Sequence, residues 1–373
     1  MNIAAPIAER TEQDGTSLAE RISAAWTRIM KVAPISADSN FFDLGGDSLL
    51  AVSLLLEIER ETGHKLAITT IYDAPTIETQ VALIAGDTGG ATNSLLVRLK
   101  DGMDARPLFV VHGLGGTVIE LAELGRRIRS ENSVYAIEAR GLDGCTAVLS
   151  SIDEMAACYV EEIRTVQPHG RYLLAGYSFG GLVAFEMARI LRRDYHSDAD
   201  LFLIDAYPHP QTWPRWSRFE VGVRRYLDRM RRAATDPLPR FAKLFSRLMV
   251  LTGWRFGGMR EAVAPALPIA RRWPSEAPPG LPLELRLVHE AACVALMGYV
   301  PAFHDCAATF LRARTTNVTF PVNPRHLWRD RVSRLEVDTA PGNHLTMIRE
   351  HSDLVAERIS LWIEKGARAE MSP

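Results

Sequence analysis

Residues Gly176-Tyr177-Ser178-Phe179-Gly180 constrain this chain more than any other feature. They follow the apolar run Tyr172-Leu173-Leu174-Ala175 and lead into an amphipathic stretch from Phe179 to Arg193. A strand-to-helix turn this tight has no room for side chains beside its apex, so the two glycines make space while the Ser178 hydroxyl is pushed outward. Such a turn needs a buried strand running straight into a helix. That commits the region to strands and helices alternating about a mostly parallel sheet.

The rest of the chain after Ser94 fits that frame. Apolar strand candidates are Leu95 to Leu99, Leu108 to Val111, Val134 to Ile137, Tyr172 to Ala175, Leu201 to Ile204, Ala308 to Leu311 and Leu335 to Val337. Helical patterns fall between them at about Thr117 to Arg129, Ile152 to Val166, Phe179 to Arg193 and Leu354 to Lys365. The alternation stops from Tyr207 to about Pro282, and that Trp- and Arg-rich helical stretch reads as an inserted lid, about 207–282. Ahead of the strands, positions 86–94 carry only small or polar residues and read as a flexible linker. Residues 17–85 before it read as a four-helix unit: helical spacing at Leu18, Ile22, Ala25, Trp26 and Ile29, a second helix from Ser48 capped by Gly63, a turn at Thr69 to Tyr72, and a last helix with Pro75 at its first position. The expected order is thus an all-α unit, a tether, and an α/β unit over 95–367.

The serine of such a turn becomes a nucleophile when an acid and a histidine follow it, each at the carboxyl end of a strand. Asp205 directly follows Leu201 to Ile204, 27 positions after Ser178, and His344 lies in Pro341-Gly342-Asn343-His344 after the strand at Leu335. The loop following Ala308 to Leu311 offers no carboxylate before Asp330, which leaves Asp205 the best-placed acid. In Val111-His112-Gly113-Leu114-Gly115-Gly116 a glycine-rich loop follows a buried strand, and the backbone amides of Leu114 and Phe179 are the expected oxyanion donors. A phosphate loop is the alternative, but the GxGxxG spacing and the Walker lysine are absent. Four scattered cysteines without a CxxC pair give no expectation of a metal site or a disulfide framework.

A second serine stands out in Phe41-Phe42-Asp43-Leu44-Gly45-Gly46-Asp47-Ser48-Leu49. Two glycines lead to a serine at a helix start, where unpaired amides favour an anionic phosphodiester; a plain N-cap is the other reading. This run, with Tyr72-Asp73-Ala74-Pro75-Thr76-Ile77, resembles the peptidyl or acyl carrier domains of nonribosomal peptide and polyketide synthetases. The resemblance implies a covalent 4'-phosphopantetheine on Ser48. From Leu95 onward the chain resembles the type I thioesterase domains that end such synthetases, on Gly176-Tyr177-Ser178-Phe179-Gly180-Gly181, Ala184-Phe185-Glu186-Met187-Ala188, Tyr299-Val300-Pro301 and Gly342-Asn343-His344.

Together these resemblances imply an α/β-hydrolase fold with a helical lid and a catalytic set of Ser178, Asp205 and His344. The chain would hold an acyl or peptidyl thioester and release it by hydrolysis or cyclisation. An editing thioesterase or a carbon-carbon bond-forming release domain keeps the same triad. A carrier or scaffold with a docking hydrolase domain is the alternative of another class. The implied partners are a phosphopantetheinyl transferase and an upstream or in-trans synthetase or adenylating enzyme.

Net charge is -2 over 373 residues, which gives no reason to expect nucleic acid. That value conceals a cancellation. Tyr207 to Pro274 carry fourteen cations and four acids, while 17–85 carry five and nine, so opposite signs could steer one unit to the other; a solvated cationic face is the alternative. The four lid tryptophans, Trp213, Trp216, Trp254 and Trp273, suit either an acyl pocket or ordinary packing. With no leader-like N-terminus and no long apolar segment, the expectation is a cytoplasmic protein without a transmembrane segment.

Overall fold

The computed structural model describes residues 17–46, 48–64, 66, 70–86, 94–144, 146–232, 281–316 and 319–371. Positions 87–93 of the expected linker, Cys145, and 233–280 of the expected lid, with Trp254 and Trp273, lie outside them. Two compact units divide at Asn93 and Ser94.

In the first unit α1 spans Leu18–Met30, α2 Ser48–Thr62, α3 Thr70–Asp73 and α4 Ile77–Ala85. Ser17 and Glu20 close a capping box at the start of α1 and so satisfy amides the helix cannot pair itself. Ile22, Ala25, Trp26 and Met30 share its buried face. The Trp26 ring meets Phe41 edge-on at 5.9 Å, and its indole N–H donates to the buried Gln80 amide at 2.8 Å. One expectation shifts here. Pro75 precedes α4 instead of opening it, because the Thr76 hydroxyl accepts from the Thr79 amide and takes the cap, while the Pro75 carbonyl accepts from Phe41.

The second unit is built on a seven-stranded sheet of order β1-β3-β2-β4-β5-β6-β7, among the described residues. The strands are β1 Leu96–Lys100, β2 Met103–Val111, β3 Asn132–Ile137, β4 Tyr172–Tyr177, β5 Ala199–Ile204, β6 His304–Ala313 and β7 Val332–Ala340. Only β1 runs antiparallel, pairing with β3. Among the described residues its helices are α5 Ile119–Arg127, α6 Ile152–Val166, α7 Phe179–Tyr195, α8 Arg215–Arg232, α9 Leu283–Gly298, α10 Arg325–Trp328, α11 Thr346–Arg349 and α12 Ser352–Met371. Every residue of β4 is buried, as a central parallel strand covered on both faces requires. This is the expected α/β-hydrolase arrangement.

The register explains where a site can form. Val111 pairs with Gly176, Tyr177 with Ile204, and Ile204 with Leu311, so the carboxyl ends of β2, β4, β5 and β6 stand level. Within the expected lid, α8 follows a short 3-10 turn at Pro210–Thr212. Helix α9 was not expected: Leu283, Leu287, Val294 and Met297 are exposed while Leu285, Val288, Ala292 and Leu296 are buried, so its sequence shows no single apolar stripe. No helix among the described residues is long and apolar enough to cross a membrane.

Candidate active site

Ser178 caps α7 at φ 55° and ψ -117°, a conformation that costs a non-glycine residue roughly 1–3 kcal/mol. Its surroundings hold it there. The Ser178 amide donates to the Ile204 carbonyl, and Gly176 packs so closely on the Gly180 carbonyl that any Cβ would collide. Gly180 in turn lies against the carbonyls of Val111 and His112, which brings the turn after β4 against the loop after β2. Larger side chains at either glycine would pry the two apart.

The serine hydroxyl donates to His344 Nε2 at 2.9 Å, and His344 Nδ1 donates to Asp205 Oδ2 at 2.8 Å. The second oxygen of Asp205 accepts from the Ala313 amide at 3.0 Å, and its own amide donates to Leu311, which ties the carboxylate to the end of β6. Asp205 is 3% exposed and His344 retains 19% side-chain exposure, so one end of this chain of hydrogen bonds is dry and the other is reachable. A carboxylate so fixed selects the tautomer whose Nε2 is free to accept a proton.

Aromatic contacts hold the imidazole, and the sequence reading had not singled them out. Tyr177 stacks on His344 with centroids 5.2 Å apart, and its hydroxyl donates to the His344 carbonyl at 2.7 Å. Phe320 tilts against the same imidazole at 5.6 Å and is stacked on Tyr207. Tyr177 was visible as the residue ahead of the serine; Phe320 carried no local signal.

Leu114 and Phe179 stand at the ends of the adjacent strands β2 and β4, Leu114 in a turn closed by the Gly116 amide on the Gly113 carbonyl and Phe179 at the start of α7. His112 shapes that turn from below: its Nδ1 donates to the Gly113 carbonyl at 2.5 Å, and its Nε2 accepts from the Tyr159 hydroxyl at 2.8 Å. Complete burial pushes its pKa down to about 4, against the opposing pull of the Gly113 bond, so the imidazole stays neutral near pH 7.

In the first unit, α2 begins at Ser48 with no acidic residue inside its first turn. Gly45 takes φ 84°, and Gly46 packs directly on the Phe41 ring, where a Cβ would clash. This set fits a phosphate ester: a serine on the positive end of a 15-residue helix, approached over glycine backbone.

Comparisons with known proteins agree with the two units. The thioesterase domain model matches residues 106–363, and the phosphopantetheine attachment site model matches 20–84. The chain is 35% identical to malpinin synthetase of Mortierella alpina over 199 residues, covering 53% of this chain and 3% of that protein. It is 35% identical over 181 residues to the dimodular nonribosomal peptide synthase of Bacillus subtilis (strain 168), covering 48% and 8%. A crystal structure of a four-domain nonribosomal peptide synthetase bound to AMP and glycine shares the fold over 96% of this chain and 27% of its own length, at a TM-score of 0.54 and 23% identity. The chain thus spans a small part of the relatives it matches.

Proposed function

The chain belongs to the thioesterase domain family and carries a phosphopantetheine attachment domain ahead of it; from that premise we propose that it releases an acyl or peptidyl chain from a thioester through Ser178, His344 and Asp205. The observation carrying this reading is the unbroken line of hydrogen bonds from Ser178 through His344 to the buried Asp205.

In the proposed mechanism His344 Nε2 takes the proton as Ser178 Oγ attacks the thioester carbonyl. Asp205, fixed by Ala313, keeps the imidazole in register and stabilises the charge it acquires. The amides of Leu114 and Phe179 receive the oxyanion; loss of one such donor in serine hydrolases costs about 10²–10³ in rate. His344 then returns its proton to the leaving group, and Ser178 is left as an ester. Water, or a nucleophile in the acyl chain, attacks that ester with His344 again as base, and the product is an acid or a ring. Ser48 at the head of α2 would hold the phosphopantetheine arm, which when bound supplies the thiol that carries the acyl group. A phosphopantetheinyl transferase would load Ser48, and an upstream or in-trans synthetase would supply the acyl chain.

Intact-mass measurement of the acyl-loaded protein tests the reading. Wild type should lose the acyl group, and Ser178→Ala should retain it on the first unit. Turnover by Ser178→Ala at the wild-type rate would refute the mechanism. A product lighter than the acid by one water would assign cyclisation.

A further inference from the structure

Hydrogen bonds at Nδ1 and Nε2 fix two points of the His344 imidazole and leave the ring able to rock about the line joining them. Rings packed on it remove that freedom, and Phe320 is one of them, with centroids 5.6 Å apart. Phe320 also stacks on Tyr207 at 4.5 Å, two positions after Asp205, and Tyr207 in turn meets Phe310 of β6 edge-on at 5.4 Å. The phenyl ring thus touches the histidine and the segment that carries the acid.

Residues Phe320, Pro321 and Val322 belong to no strand or helix that would fix their backbone. Side chains brace it instead. Arg224 of α8 donates through Nη1 to the Phe320 carbonyl at 2.8 Å and through Nη2 to the Thr316 carbonyl at 3.5 Å. One turn earlier on the same helix, Glu220 Oε1 accepts from the Val322 amide at 3.1 Å, and Arg312 of β6 donates to the Val322 carbonyl at 2.6 Å. Arg224 and Glu220 stand 3.9 Å from each other and keep 28% and 26% side-chain exposure, and an ion pair so placed adds little stability by itself. What the two supply is a fixed seat for the Phe320 backbone.

We propose that Phe320 is a positioning residue for His344 and that Arg224 and Glu220 set its place, so that helix α8 acts on the reaction through the orientation of the imidazole. The inference rests on the triad reading above. Small errors in the placement of a reacting group are costly, so a helix that never touches the triad can still govern its rate.

The test is labelling of Ser178 by an alkyl fluorophosphonate in the full chain, a step in which His344 serves as base. Phe320→Leu, which keeps an apolar side chain and loses the ring, should lower the maximal labelling rate about tenfold and leave the half-saturating probe concentration unchanged. Phe320→Met serves if that variant does not fold. Arg224→Ala and Glu220→Ala should each slow labelling about threefold, because each frees the loop. A direct electrostatic effect on the imidazole would instead give these two variants opposite signs, and that result overturns the proposal. In Arg224→Ala combined with Phe320→Leu the loss should be no larger than in Phe320→Leu alone, since no ring is left to place; losses that multiply count against the coupling and overturn it. A residue that merely packs would lower the fraction of protein labelled at saturation while the labelled part reacts at the wild-type rate, which also overturns the proposal. An unlabelled Ser178→Ala beside a Phe320→Leu that reacts like wild type removes only the role of Phe320; full labelling of Ser178→Ala removes the triad.

Discussion

The His112 imidazole has no solvent exposure, and both of its ring nitrogens are engaged inside the protein. Its folded pKa of about 4 lies below the ordinary 6.5, so between those values the unfolded chain binds a proton that the folded one does not. Stability therefore rises with pH through that window and levels off above it. The full effect is about 3 kcal/mol, at 1.36 kcal/mol per unit. His209 and His304, also lowered mainly by burial, act in the same direction, whereas Glu120, raised by burial, acts against it. Urea unfolding between pH 4 and 7 should show a positive slope that flattens in His112→Asn. That variant should also be weaker by about 1–3 kcal/mol at pH 7, because the Tyr159 hydroxyl loses its acceptor. An equal slope in both proteins would mean that some other group sets the acid sensitivity.

Helix ends place both candidate serines. Ser178 heads α7 from a strained turn, and Ser48 opens α2 behind Gly45 and Gly46. Because Gly46 rests on the Phe41 ring, Gly46→Ala must displace either the loop or the ring, and Phe41 belongs to the core with Trp26. We expect this variant to be phosphopantetheinylated at least tenfold more slowly, as followed by intact mass, with release by the second unit unchanged toward a small-molecule thioester. Elements of this kind were legible where one local rule decides them. Every residue of β4 is buried because both its faces are covered, and Asp205 directly follows the buried apolar run Leu201 to Ile204 of β5. Helix α9 was not legible, since exposed Leu283 and Leu287 blur the stripe that Leu285 and Val288 would otherwise draw. Nor was the aromatic clamp on His344, because Phe320 and His344 flank β7 and meet only after it is laid against β6.

On the proposed function, a thioester held on the first unit is emptied by the second, and nine residues, 86–94, separate the two in the sequence. Were that segment to act as a flexible tether, as its small and polar sequence leads one to expect, it would confer an effective concentration of about millimolar order, falling with roughly the -3/2 power of length once the span is reached. Transfer within one molecule then predicts a distinct response to insertion. Quadrupling the tether with Gly/Ser residues should slow single-turnover release about eightfold, independent of protein concentration. Transfer between molecules predicts the reverse: no effect of tether length and a rate proportional to concentration. The charge asymmetry adds a second handle. With +10 on Tyr207 to Pro274 and -4 on 17–85, attraction between the units should weaken as salt shortens the Debye length from about 10 Å at 0.1 M to about 3 Å at 1 M. In the lengthened variant the units must find each other again by diffusion, so salt should slow it more than wild type. If salt slows both equally, it acts on the chemistry at Ser178, and the lid cations have no part in bringing the carrier in.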